Sequence, residues 1–238
     1  MMEKLICALW ASEGETRAAY GAYLVEHLPG ALAATGAHGI RLNIRDARVE
    51  PATALVQQWQ APQQDAIVQF WLPSANARFR GAIDAVLAAH SGRFAAWLVA
   101  ESTIITNSAY PPEAGRACAG WSQASFISFR ADMDRADAIA HWHGHHTRVA
   151  IETQANFEYV QNIIVRPLTP DAPAYDAFVE ECFSDAAMTD PHAFFDAVGN
   201  EAKFAQNLSA MMESCAGFID FSRIDVIPTS QFDFAGRD

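Results

Sequence analysis

One order of elements occurs twice along this 238-residue chain, and that recurrence limits what it can fold into more than any single motif does. Lys4–Ala11 is short and apolar, and Ser12-x-x-Glu15 follows it as a capping box, which predicts a strand and then a helix start. The helix is expected over Thr16 to about Leu28, with Pro29-Gly30 as its stop. Ile40–Arg45 alternates apolar and polar residues as a half-buried antiparallel strand does. A loop over 47–64 carries Gln, Pro and the isolated Trp59. Beyond it Ala66–Leu72 reads as a strand, Asn76–Ala89 as a helix and Ala95–Ile105 as a long strand. The order is β-α-β-β-α-β. Asn107–Gly115, with Pro111-Pro112 inside it, is the most linker-like stretch. The same order then returns: strand Trp121–Arg130, helix from Asp134 to about Ile151, strand Glu158–Arg166, a strand or short helix over Tyr175–Phe183, helix Glu201–Ser214 and strand Gly217–Ile227.

The halves overlay at an offset of 119 residues, which places Tyr23-x-x-x-His27 on Trp142-x-x-x-His146 and Asn43-Ile44 on Asn162-Ile163. Asp65-Ala-Ile-Val68 falls on Asp176-Ala-Phe-Val179 if the second half has a shorter loop. Each half reads as a ferredoxin-like (βαββαβ) unit, with helices on one face of its sheet and the other face bare. Two bare faces closing on each other predict an α+β fold. It would be a dimeric-type α/β barrel of two tandem halves, antiparallel sheets inside and helices outside. The expected division is 1–108, a linker over 109–118, and 119–238.

Composition excludes several alternatives. Apolar residues make up 51% of the chain and charged residues 18%, too apolar for a disordered chain. The longest apolar runs are about seven residues, where roughly 20 are needed to cross a bilayer as a helix, so no membrane partner is expected. No leader peptide is visible, and a cytoplasmic location is the default expectation. A net charge of −12 repels phosphate backbones and argues against nucleic acid. Cys7, Cys118, Cys182 and Cys215 form no C-x-x-C pair, so neither a disulfide framework nor a zinc ribbon is indicated.

An aromatic residue four positions before a His on the first helix of each half, then an Asn on the next strand, resembles the EthD family of dimeric α/β-barrel proteins. The segments that carry the resemblance are Tyr23-Leu-Val-Glu-His27-Leu-Pro29 and His141-Trp-His-Gly-His-His146, with Arg41-Leu-Asn43 and Tyr159-Val-Gln-Asn162 after them. The second segment departs from His-x-Pro, having His146-Thr-Arg148, and its helix is expected to run further. The resemblance implies a barrel whose wider relatives include isomerases, lyases, polyketide cyclases and cofactor-free oxygenases, and it is compatible with a homo-oligomer. A fold this widely used leaves function to be argued from the site.

His146 and His27 are the first catalytic candidates, since imidazole gives or takes a proton near neutral pH. Positions i and i+4 share a helix face, so Trp142 and Tyr23 would hold substrate beside them. Packing or capping is the plain alternative for both. His141 and His145 have a chelating spacing, but no third ligand stands near them and Trp142 occupies the Glu position of His-Glu-x-x-His. No metal is therefore expected, and His145 is read as a substrate contact. Asn43 and Asn162 could each bond a substrate oxygen or a neighbouring backbone group. Glu101, on an apolar strand face with Trp97 and Val99, would be a desolvated general base, or else a strand-end residue reaching water. Asp65 and Asp176 read as turn or cap residues, and Trp59 as a lid or an oligomer contact. No Gly-rich phosphate loop, Rossmann fingerprint or Gly-x-Ser-x-Gly elbow occurs, so no cofactor is expected. The reading is a cofactor-independent lyase or isomerase using His acid–base chemistry on a small apolar or aromatic compound. The alternatives are a non-catalytic small-molecule-binding protein and a cofactor-free oxygenase.

Overall fold

The structure is a computed structural model that describes residues 2–234. Among these, eight strands close into one antiparallel barrel in the order β1-β3-β2-β8-β5-β7-β6-β4. They are β1 (Glu3–Trp10), β2 (His38–Ile44), β3 (Ala66–Leu72), β4 (Arg93–Ile105), β5 (Trp121–Ile127), β6 (Glu158–Pro167), β7 (Ala177–Phe183) and β8 (Asp225–Asp233). Helices α1 (Arg17–Ala34) and α2 (Ala77–Ala89) belong to the first half. The second half has α3 (Arg135–His141), a π turn (Trp142–His146), α4 (Thr147–Thr153), α5 (Pro191–Phe194) and α6 (Glu201–Ala216). Reading each half's strands in chain order, both are arranged fourth, first, third, second. The halves join through the β2–β8 and β4–β6 ladders. The linker is not free: Gly115 and Cys118 donate backbone N–H bonds of 2.8 Å to the Asp233 and Gln231 carbonyls, so it runs along β8.

Strand alternation sorts side chains between the barrel interior and the helix layer. On β1, Leu5, Cys7 and Leu9 face the helices and pack with Leu24, Leu28 and Leu32 of α1, while Ile6, Ala8 and Trp10 face inward. The interior is filled. Trp97, Phe126, Phe178 and Ile227 occupy its apolar part. In its polar part Glu180 accepts bonds from Arg41, Asn43, Gln69, Ser122 and Gln231. Arg41 also grips Glu158 at 2.8 Å and Asp233 at 2.7 Å.

Asp65 and Asp176 do act as clasps. Each accepts a backbone N–H from the chain just beyond the first strand of its half (Ala11 and Phe129) and pairs with an arginine at the helix start (Arg17 and Arg135).

Several sequence expectations need correction. Helix α1 runs through Pro29-Gly30 to Ala34, with Pro29 inside it and buried on the same side as Leu28 and Leu32, so burial of this face outweighs the one backbone bond a proline removes. The last strand begins at Asp225, not Gly217. Phe218, Ile219 and Ile224 are spent instead on packing beneath the helices. The loop over 47–64 contains a 3-10 segment, Ala47–Leu55. Trp59 is partly buried, its ring edge-on to Tyr175 at 5.4 Å, and its backbone N–H donates to Asp225.

The helix alignment also slips by one. The N-caps Thr16 and Asp134 lie 118 residues apart, and the buried positions Tyr20, Leu24 and Leu28 correspond at that spacing to Ala138, Trp142 and His146. The helical stretches end at Ala34 and Thr153, so the second is one residue longer, and the π turn takes up the extra residue. One residue on a helix is a rotation of about 100°. This is why Tyr23 and His27 face solvent while Trp142 and His146 are buried.

Candidate active site

In the first half the space between sheet and helices is occupied by a buried apolar core. In the second it holds a cavity of about 700 Å³. Strands β5, β6, β7 and β8 form its floor, the π turn and α6 one side, and residues 187–195 another. Most of its lining is apolar, including Trp142, Phe194, Met211, Phe218 and Val226.

A short polar row crosses the floor. Glu181 on β7 lies opposite Gln123 on β5 and opposite Tyr159 on β6. The apolar pair Leu5 and Phe70 meets on the corresponding face of the first half. Glu181 is buried and accepts a 2.9 Å bond from Asn156 and a long 3.5 Å contact from Gln123. Burial pushes its carboxyl up to about 7, against the pull of those two donors. Tyr159 accepts bonds from Trp142 Nε1 at 3.3 Å and Gln161 Nε2 at 2.7 Å, and burial, with Glu181 nearby, pushes its hydroxyl above the usual range. It therefore stays neutral and keeps its own proton to donate.

His146 reaches the cavity because the π turn holds it and Trp142 on the buried side. Its Nδ1 lies 3.0 Å from Ser214 Oγ on α6, and its ring is 5.0 Å from that of Phe218. Burial first, and then the neighbouring His141 and His145 rings, lower it to about 4. At neutral pH it is an uncharged hydrogen-bonding group and a poor proton acceptor.

The other expected site residues lie elsewhere. The rings of His27 and Tyr23 lie tilted against each other, 4.8 Å apart, on the outer face of α1, where His27 is half exposed beside Glu26. His145 is exposed, with its ring beside that of His141, and His141 is tied to the Ser214 carbonyl at 3.1 Å. Asn43 belongs to the interior network: it bonds Glu180 at 2.6 Å and accepts from Gln69. Asn162 accepts from Lys4 at 2.9 Å, and Lys4 pairs with Glu101. Glu101 therefore shares the interior strand face with Trp97 and Val99, as expected, and there it meets an ammonium and not the cavity. Among the described residues, no group of three or more His, Cys, Asp or Glu is placed to hold a metal ion.

Glu181, Tyr159, Gln123 and Gln154 of the cavity were not anticipated. The signal for Glu181 was present in Ala177-Phe-Val-Glu-Glu-Cys-Phe183: two adjacent glutamates inside an apolar strand must point to opposite faces, so one of them enters each layer.

Residues 130–222 match the EthD domain. The EthD match holds the π turn, Glu181 and α6, and the first half lies outside it. No match was found among curated proteins. Among solved structures, an anthrone oxidase-like protein aligns with 99% of this chain and 95% of its own at 8% identity, with a TM-score of 0.55. A candidate monooxygenase from Lactobacillus acidophilus NCFM aligns over 97% of this chain and 95% of its own at 10% identity, with a TM-score of 0.48. At such identities the likeness of the first extends to the fold alone. No helix of the described residues is long and apolar enough to cross a membrane.

Proposed function

We propose that the EthD-matching half binds a small, largely apolar ring compound and moves a proton on it, in a lyase or isomerase reaction that needs no metal or organic cofactor. The observation that carries this reading is Glu181, a buried carboxyl poised near pH 7 on the floor of an otherwise apolar cavity. Such a group is matched to general acid–base work at neutral pH. As carboxylate it takes a proton from carbon beside a substrate carbonyl. Tyr159 donates its hydroxyl hydrogen bond to the enolate oxygen that forms. Return of the proton at another carbon completes an isomerisation; loss of a leaving group from the enolate completes an elimination. His146 holds the substrate as a neutral partner and is not the base, which changes the role expected of it from sequence.

The repeated strand order and the twin aspartate clasps support reading the chain as two tandem ferredoxin-like units that follow the 1–108 and 119–238 division. In this reading the first is a packed scaffold and the second the working half. A cytoplasmic location and a homo-oligomeric state belong to the same proposal.

The test is deuterium wash-in at the acidic carbon of β-tetralone, an uncharged bicyclic aromatic ketone. The protein should accelerate exchange, and Glu181→Gln should slow it roughly a hundredfold. Exchange no faster with the protein than without it would overturn catalysis and favour a binding protein, and equal acceleration by both proteins would remove Glu181 as the base. Oxygen uptake in step with ketone loss would favour the oxygenase instead.

A further inference from the structure

Little in the protein helps Glu181 to ionise. Among the described residues its carboxyl accepts from two side chains, Asn156 at 2.9 Å on Oε1 and Gln123 at a long 3.5 Å on Oε2. The cavity lining contains no lysine or arginine. The titratable groups that share the cavity with Glu181 are uncharged at neutral pH. Burial raises Tyr159 on β6 and pushes Cys215 on α6 up to about 12, while His146 on the π turn is lowered to about 4. With no cation to offset burial, the carboxylate form depends on the two amides, and Asn156 makes the shorter bond.

Asn156 lies outside the cavity lining, in the connection between α4 and β6. The backbone on either side of it is tied down. The Ala155 N–H donates at 3.0 Å to the Phe194 carbonyl on the cavity wall. The Phe157 N–H donates at 2.9 Å to the carbonyl of Cys182, the residue after Glu181 on β7. The donor is thus fixed between the wall and the strand that carries the acid, and little further ordering is needed to make the bond.

We infer that Asn156 is the positioning residue of this acid–base site, holding the Glu181 carboxyl by Oε1 and stabilising its ionised form without touching the ligand. This rests on Glu181 being the base, as proposed above.

Carbon-13 NMR of the full chain labelled at the glutamate carboxyls, with Glu181→Gln to assign the signal, reads the titration. Deuterium exchange of β-tetralone reads its use. In the parent both should turn over near pH 7, and the Asn156 side-chain amide protons should shift with the same midpoint, because they donate to the group that titrates. Asn156→Leu has a similar size and no donor, and should raise both midpoints by about one pH unit. The exchange rate at pH 7 should then fall about fivefold and recover at higher pH, with the KM for β-tetralone unchanged. A packing role alone would lower the melting temperature and leave the midpoints in place. A Glu181 midpoint that Asn156→Leu does not move, or parent Asn156 amide protons that ignore pH, overturns the inference and leaves Glu181 free to be the base. A carboxyl midpoint that rises while the exchange profile stays put overturns Glu181 as the base, and the positioning role with it.

Discussion

Glu181 stands directly across the β6–β7 ladder from Tyr159, with carboxyl and phenol on one wall of the same cavity. Burial raises both groups, but only the carboxyl is brought near neutrality. If Glu181 is the base, the rate of proton exchange should rise with pH through an inflection near 7 and then level off. Tyr159→Phe should lower the plateau by about tenfold or more without moving the inflection. A rate that rises instead around pH 4, where His146 titrates, would return the base role to the imidazole.

The same carboxyl makes a prediction for stability. Glu181 has a raised value in the folded state, about 7, against an ordinary value of about 4.3 when unfolded. The unfolded chain therefore gives up its proton first as pH rises. Stability is lost between about pH 4.3 and pH 7, by at most ~3.7 kcal/mol. Relative to the parent, Glu181→Gln should gain stability across that window, with little change in the difference below it. Denaturant midpoints measured at pH 4.5, 6 and 8 read this directly. A difference that stays flat with pH would mean the carboxyl is not desolvated as the structure places it.

How much of this was visible in the sequence depends on which layer a residue joins. The strands other than the last, and helix α2, followed from period, because local pattern dictates them. Asn43, Asn162 and Glu101 lie on the expected strand faces, yet those faces turn into a barrel interior where Lys4, Arg41 and Gln69 already engage them or their neighbours. No local pattern reports which long-range partners will meet there. The pairing of His27 with His146 failed for a sharper reason. The overlay ran through a helix that in the second half carries an extra residue in a π turn, and one residue of slip exchanges the buried face for the wet one. The cavity was illegible because it is defined by what α5, α6 and the π turn leave unfilled.

The two histidines should accordingly behave differently. His146→Ala removes the Nδ1 contact to Ser214 Oγ and the ring packed on Phe218, and should lower stability by about 1–3 kcal/mol at pH 8. Its folded-state value is depressed to about 4. The parent is thus fully stabilised by this residue above pH 6.5 and loses that contribution as pH falls toward 4. The deficit of the variant should shrink over the same range. His27→Ala, on the exposed face of α1, should leave the midpoint unchanged at every pH. Equal losses in both variants would contradict the burial difference between them.

Arg41 offers the strongest test of the barrel interior. Its guanidinium is almost wholly buried and pairs with Glu158, Glu180 and Asp233, which come from three different strands. Burial alone would raise the Glu180 carboxyl. Arg41, with donors from Gln231, Asn43 and Gln69, instead holds it well below the usual carboxylate range. Arg41→Met keeps the length and removes the charge, leaving three buried or nearly buried carboxylates facing one another. Breaking a buried pair in this way costs about 3–5 kcal/mol, because the abandoned charge has no water to turn to. The loss should be greatest at neutral pH and diminish as acid protonates the carboxylates. Adding Glu180→Gln to Arg41→Met should recover part of it, since the amide needs no counter-ion and still bonds its neighbours. Chemical denaturation of the two variants at pH 7 and pH 5 separates these outcomes. An Arg41→Met protein within about 1 kcal/mol of the parent at pH 7 would show that the interior pairs do not hold the two halves of the barrel together.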